Sequence, residues 1–250
     1  MKQLKTIAAV AMLAAVPGIG SAFTVYDTFG PFPDATWGGG GIPNDAVAAA
    51  KTIIDGDTTI RIAMNATGRY SNPQLSNNGA GVFYASPGQN CGTPTDPAGC
   101  PSGVQGALWN VNYFIEIDSA SGKKLTDYQI DLWYDFDPAG PNGVGVLPTG
   151  RVNVTNGLFA TTPNATLVEG SENLLFSYLA TGVPGVITAP GGTFNPNALG
   201  NYQFAITVTN GFFPIEAIAM EVQVIPVPAA VWLFGSAMGL MGLVRRRSQV

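Results

Sequence analysis

The sequence predicts an all-β fold: an antiparallel β-sandwich, with a jelly-roll-like variant as its candidate subtype. An N-terminal signal peptide and a single C-terminal transmembrane helix are expected to flank it. Three observations predict the sandwich. Several stretches alternate apolar and polar side chains with period two, the pattern of a half-buried strand. The 250 residues include 32 glycines and 19 prolines, which suit turns and disfavour helix interiors. Apolar residues make up 46% of the chain, enough to bury a core.

The chain divides into residues 1–22, 23–224 and 225–250. The first segment carries Lys2 and Lys5, an apolar run from Ile7 to Val16, and the small residues Gly20-Ser21-Ala22. That is the pattern of a secretory signal peptide cut after Ala22. Export makes the two cysteines legible. Cys91 and Cys100 bracket eight residues rich in Pro and Gly, which suits a disulfide-closed loop in an oxidising compartment.

Within the exported domain, Asp45–Ile54 is the helical candidate, because Ala48–Ala50 favour helix and Asn44 is placed to cap it. Its two isoleucines fit the start of a strand equally. Thr58–Ala66 alternates Ile60, Ile62 and Met64 against Thr59, Arg61 and Ala63. Leu108–Asp118 sets Trp109, Val111, Tyr113, Ile115 and Ile117 on one face. Asp118–Lys124 reads as a hairpin turn into the next strand, within Leu125–Asp137. Ser171–Leu179 fits a capped helix or a strand. Tyr202–Thr209 and Ile215–Ile225 complete the set.

Charge and composition exclude several functions. Residues 23–225 hold six basic residues and all sixteen acids, net −10, so this region repels nucleic acid. The chain has no histidine. That excludes Ser-His-Asp and Cys-His catalysis and His-bound zinc. Gly38–Gly41 is followed by no phosphate-loop pattern.

The best chemical constellation is Asp127–Gly143. In a strand, Tyr128, Ile130, Leu132, Tyr134 and Phe136 point to the core. Asp127, Gln129, Asp131, Trp133, Asp135 and Asp137 point away. A solvated strand face is the first reading of the acids. The second is a Ca²⁺ site on Asp131, Asp135 and Asp137, with oxygens from the loop around Asn142. Trp37, Trp109 and Trp133 are candidates to stack on sugars, although aromatic residues belong first to cores. A glycoside hydrolase would need two such carboxylates flanking a sugar, a third reading. Asn65, Asn153 and Asn164 begin Asn-x-Thr sequons.

The C-terminus carries the most specific signal. Ala229–Val244 is sixteen uncharged residues, about 24 Å of helix, and the preceding Ile225–Pro228 brings it to spanning length. Arg245, Arg246 and Arg247 follow as a cytoplasmic stop. Pro226 and Pro228 hold the entry to the helix extended. This run, Ile225-Pro226-Val227-Pro228-Ala229 with Trp232-Leu233-Phe234-Gly235 and the arginines, resembles the C-terminal sorting domain called PEP-CTERM. Its closest form is the VPLPA-type variant. Val227 stands where the name-giving motif has Glu, which leaves the subtype of processing enzyme open. The resemblance covers about 26 residues. It implies transient insertion in the inner membrane of a Gram-negative bacterium. It also implies recognition by an exosortase-type membrane cysteine protease, and delivery to the cell surface or an exopolysaccharide matrix. The expectation for the whole is a non-enzymatic surface or matrix protein needing no cofactor. The alternatives are a Ca²⁺- or carbohydrate-binding module and a carboxylate hydrolase.

Overall fold

A computed structural model describes residues 25–38, 42–43, 45–70, 74–91, 106–139, 147–211 and 215–226. In chain order its strands begin with β1 (Thr28–Pro31), β2 (Val47–Asp55), β3 (Thr58–Gly68), β4 (Val82–Ala85), β5 (Gln89–Asn90), β6 (Gly106–Ala107) and β7 (Trp109–Ser119). They continue with β8 (Gln129–Tyr134), β9 (Gly150–Asn153), β10 (Leu167–Glu172), β11 (Ile187–Thr188), β12 (Gly200–Thr209) and β13 (Glu216–Val224). Two short helices, α1 (Val154–Thr161) and α2 (Ser177–Thr181), and a 3₁₀ turn at Leu125–Asp127 interrupt them.

The strands form two main sheets, ordered β1-β2-β3-β7-β10 and β11-β9-β8-β12-β13-β4, beside the small β5-β6 pair. One apolar core lies between the main sheets. Ile60, Ile62, Met64, Trp109, Val111, Ile115 and Ile117 of the first meet Ile130, Leu132, Phe204, Ile206, Val208, Ile218 and Met220 of the second. The all-β expectation holds. The sheets are not purely antiparallel, because β4 pairs parallel with β13. The segment from Val25 joins the layers. Val25 bridges Ala219 of β13, and from Thr28 the same chain pairs with β2.

The expected helix at Asp45–Ile54 is instead β2, central between β1 and β3. Its alanines are used for size rather than helix propensity. Ala49 enters the main core, while Ala48 and Ala50 lie on the opposite face under Trp37 and Phe114. Larger residues would lift that cover, so packing overrides propensity. The hairpin expected at Asp118–Lys124 is also corrected. β7 pairs with β3 and β10, and the turn carries the chain across to the other sheet. Leu125, buried in the core, fixes that crossing. Ser171–Leu179 divides into the end of β10 and the start of α2.

One carboxylate fastens both sheets at this end. Asp55 Oδ2 accepts from Lys123 Nζ at 2.9 Å, Tyr128 OH at 2.8 Å and Asn210 Nδ2 at 2.9 Å. The Lys123 bond, then the Tyr128 bond, holds the Asp55 carboxyl below its ordinary range. A depressed folded pKa adds stability above the unfolded value, near 3.8, and loses it as pH falls through the folded value. Asp55→Asn is therefore expected to lower the urea midpoint at pH 7, and the gap to wild type should close below pH 3.8. Equal midpoints at pH 7 would remove this role.

Candidate functional site

The outer face of β8 was the candidate from sequence. Its inward set behaves as expected: Tyr128, Ile130, Leu132, Tyr134 and Phe136 are all buried. Outward, the register sets Asp131 between Asn153 and Thr207, and Trp133 between Arg151 and Ala205. Asp131 accepts from Gln129 Nε2 at 3.0 and 3.1 Å, and Arg151 Nε lies 3.9 Å away. Trp133 Nε1 donates to Thr207 Oγ1 at 2.8 Å, with the Arg151 guanidinium 5.8 Å from its ring.

This face is only partly the solvated one first expected: Asp127, Gln129 and Asp137 are exposed, but Asp131 is 6% and Asp135 7% exposed. Burial pushes the Asp131 carboxyl up, against the Gln129 bond and the Arg151 charge. Asp135 and Asp137 shape the turn that follows β8. Asp135 Oδ1 accepts from the N–H groups of Phe136 and Asp137, and Asp137 Oδ1 accepts from that of Ala139. Asn142 lies outside the described residues. Among those described, no three of Asp, Glu and Cys stand together as a metal site would need.

The three tryptophans take different places. Trp109 is in the central core, Trp37 is fully buried on the outer face of the first sheet, and Trp133 is half-buried beside Arg151. Two sequon asparagines are structural. Asn65 is buried, and Asn153 caps α1 by accepting from the N–H of Asn156 at 2.8 Å. Asn164 is exposed. No described cysteine is free. Cys91 is half-buried, and its expected partner Cys100 lies outside the described residues.

The expected sorting motif starts at Ile225, directly after β13. Ile225 donates its N–H to Ala85 O at 3.0 Å, and the next residue, Pro226, is exposed. Val227, Pro228, Ala229 and Arg245–Arg247 lie outside the described residues, as does the expected signal peptide. Among the described residues no helix is long and apolar enough to cross a membrane.

Sequence reasoning missed Glu172. It ends β10 beside a cavity of about 10 Å³ between the sheets, lined by Val111, Leu132, Tyr134, Leu179 and Phe204. That volume suits a water molecule at most. Tyr178 OH donates to the Glu172 carboxylate. Burial nevertheless raises the Glu172 pKa, the Tyr178 bond opposing it. Burial and the Glu172 charge push the nearby Tyr113 hydroxyl up to about 12. A raised acid binds its proton more tightly in the folded state. Its stabilisation is full below the unfolded value, near 4.5, and is lost as pH rises through the folded value. Wild type should lose stability over that window, whereas Glu172→Gln should stay flat. Parallel urea-midpoint profiles would show Glu172 to be unperturbed.

No protein-family model, curated protein or solved structure matches the chain.

Proposed function

We propose that this chain is an exported, non-enzymatic protein of the cell surface or extracellular matrix. Its β-sandwich body is delivered through a C-terminal signal of the PEP-CTERM kind. The observation that carries the reading is the run Ile225-Pro226-Val227-Pro228-Ala229, its apolar continuation and Arg245–Arg247. The body supports it in one respect: among the described residues the last backbone bond of the sheet is made by Ile225, the first residue of the motif. Pro226 and Pro228 disfavour helix at that point, which suits a segment that a membrane protease must grip. In this reading Cys91 and Cys100 close a surface loop in the oxidising space outside the inner membrane.

Intact mass of the protein recovered from its producing cell tests the reading. The mature chain is expected to lack residues 1–22 and everything from Ala229 on. Recovery of surface-located protein that retains Arg245–Arg247 would overturn the sorting role.

A further inference from the structure

The chain carries three Asn-x-Thr sequons, and the fold sorts them. Asn65 is fully buried, and its Oδ1 accepts from Asn112 Nδ2 at 2.7 Å. Thr67, which supplies the hydroxyl of that sequon, is fully buried as well and accepts from the same nitrogen at 3.1 Å. Asn153 is buried, with its Oδ1 engaged as the cap of α1. Thr155, the hydroxyl of the second sequon, is buried too. Its Oγ1 accepts from the N–H of Ile130 at 2.8 Å and donates to Tyr128 O at 2.7 Å. A glycan on either asparagine would have to be housed inside the body and would cost these bonds.

Asn164 is placed differently. It stands in the connection from α1 to β10, in a β-turn that Ala165 closes by donating its N–H to Thr162 O at 3.0 Å. Pro163 and Asn164 are the two corner residues, and proline favours the first corner because its φ is already set. Asn164 and Thr166 are both exposed. Among the described residues neither the Asn164 amide nor the Thr166 hydroxyl makes a hydrogen bond. The backbone around them is held. Pro163 O accepts from Thr126 Oγ1 at 2.7 Å, Ala165 O from the N–H of Leu125 at 3.1 Å, and Thr166 O from that of Ile117 at 2.8 Å. The turn therefore presents an amide and a hydroxyl on a fixed backbone, and a substituent on the amide displaces nothing from the core.

We propose that Asn164 is an N-glycosylation site. A sequon on a surface loop of an exported chain is the form in which this modification is made. The co-substrate is an oligosaccharide carried on a polyprenyl diphosphate in the membrane that the chain crosses. Asn164 Nδ2 attacks the anomeric carbon of the first sugar. The N–C bond forms as the C–O bond to the diphosphate breaks, the amide gives up one proton, and the polyprenyl diphosphate leaves. Thr166 supplies the second group that the transferring enzyme reads. The attached glycan stands beside β10, the edge strand of the first sheet, whose Leu167 is exposed. An exposed strand edge invites pairing with another chain, and a hydrated polymer next to it opposes that. The proposal rests on export of the body and is independent of how the tail is processed.

The test is peptide mapping by mass spectrometry of the protein recovered from its producing cell. The peptide that contains Asn164 is expected to carry the mass of one oligosaccharide, and the peptides that contain Asn65 and Asn153 none. Asn164→Gln and Thr166→Ala should each abolish the added mass, whereas Thr166→Ser should keep it. Both positions are exposed, so these variants fold as wild type does. Added mass that survives Asn164→Gln would place the sugar on a neighbouring hydroxyl and overturn the proposal. Modification of Asn65 or Asn153 in the folded protein would overturn it as well. A bare Asn164 in protein that has lost residues 1–22 would overturn it and leave export standing. Bare protein that still keeps residues 1–22 would overturn export and this proposal together.

Discussion

Trp109→Ala is expected to destabilise the body by about 3–5 kcal/mol, the range for removing a large buried aromatic ring. Trp109 is 1% exposed and belongs to the first sheet. Its ring centroid lies 5.6 Å from Tyr202 and 6.1 Å from Phe204, both on β12 of the second sheet. Phe194, on the chain leading into β12, is edge-on to it at 6.1 Å. The ring therefore joins the layers, and its loss leaves a void that neither sheet can close by itself. For a body of this size each kcal/mol shifts Tm by about 2–4 °C, so calorimetry should show a fall of roughly 6–20 °C. Trp109→Phe should recover much of it. A fall below about 3 °C would mean that the aromatic cluster does not hold the sheets together.

Asn173→Ala is expected to cost about 3 kcal/mol or more by a different route. Asn173 is fully buried just past β10. Its Oδ1 accepts from the N–H groups of Ala107 at 2.9 Å and Leu175 at 3.1 Å. Its Nδ2 donates to the carbonyls of Ala107 and Trp109 and to Asn110 Oδ1. One amide thus serves backbone groups that no strand pairing satisfies. Alanine removes it and leaves those groups buried and unpaired, at about 1–3 kcal/mol for each that finds no water. Urea unfolding measures the loss. Native-state hydrogen exchange should show the Ala107 N–H freed first. Asn173→Asp should not rescue, because a carboxylate has no proton to offer the two carbonyls. An Ala107 amide as protected in the alanine variant as in wild type would exclude this account.

The strands that were legible in the sequence, β3, β7, β8, β12 and β13, are long and alternate cleanly. Period two identifies a strand but not its neighbour. The inward residues of β7 and β8 fit side-by-side strands as well as strands facing each other across a core, and the second arrangement is the one formed. β2 was obscured because Ala48–Ala50 carry a local helix preference, while their small size is what the sheet uses. α1 and α2, with 8 and 5 residues, are too short to display a helical period. The candidate sites were obscured by burial imposed from elsewhere in the chain. An outward Asp131 or Asn112 reads as solvated until another segment covers it. Trp37 covers its sheet face from the connection between β1 and β2, and no local pattern announces that.

The way β13 is held has a mechanical consequence. Nine residue pairs tie it to β12, and on its other edge it is tied to β4 and to Val25. Tension arriving through the residues after Pro226 runs along this strand. It loads the bonds on both edges together, in shear, instead of opening them one at a time from an end. Survival under such a pull is governed by the unfolding rate and not by equilibrium stability. A body hauled on by a tether or a moving matrix would thus yield last at the strand through which it is pulled.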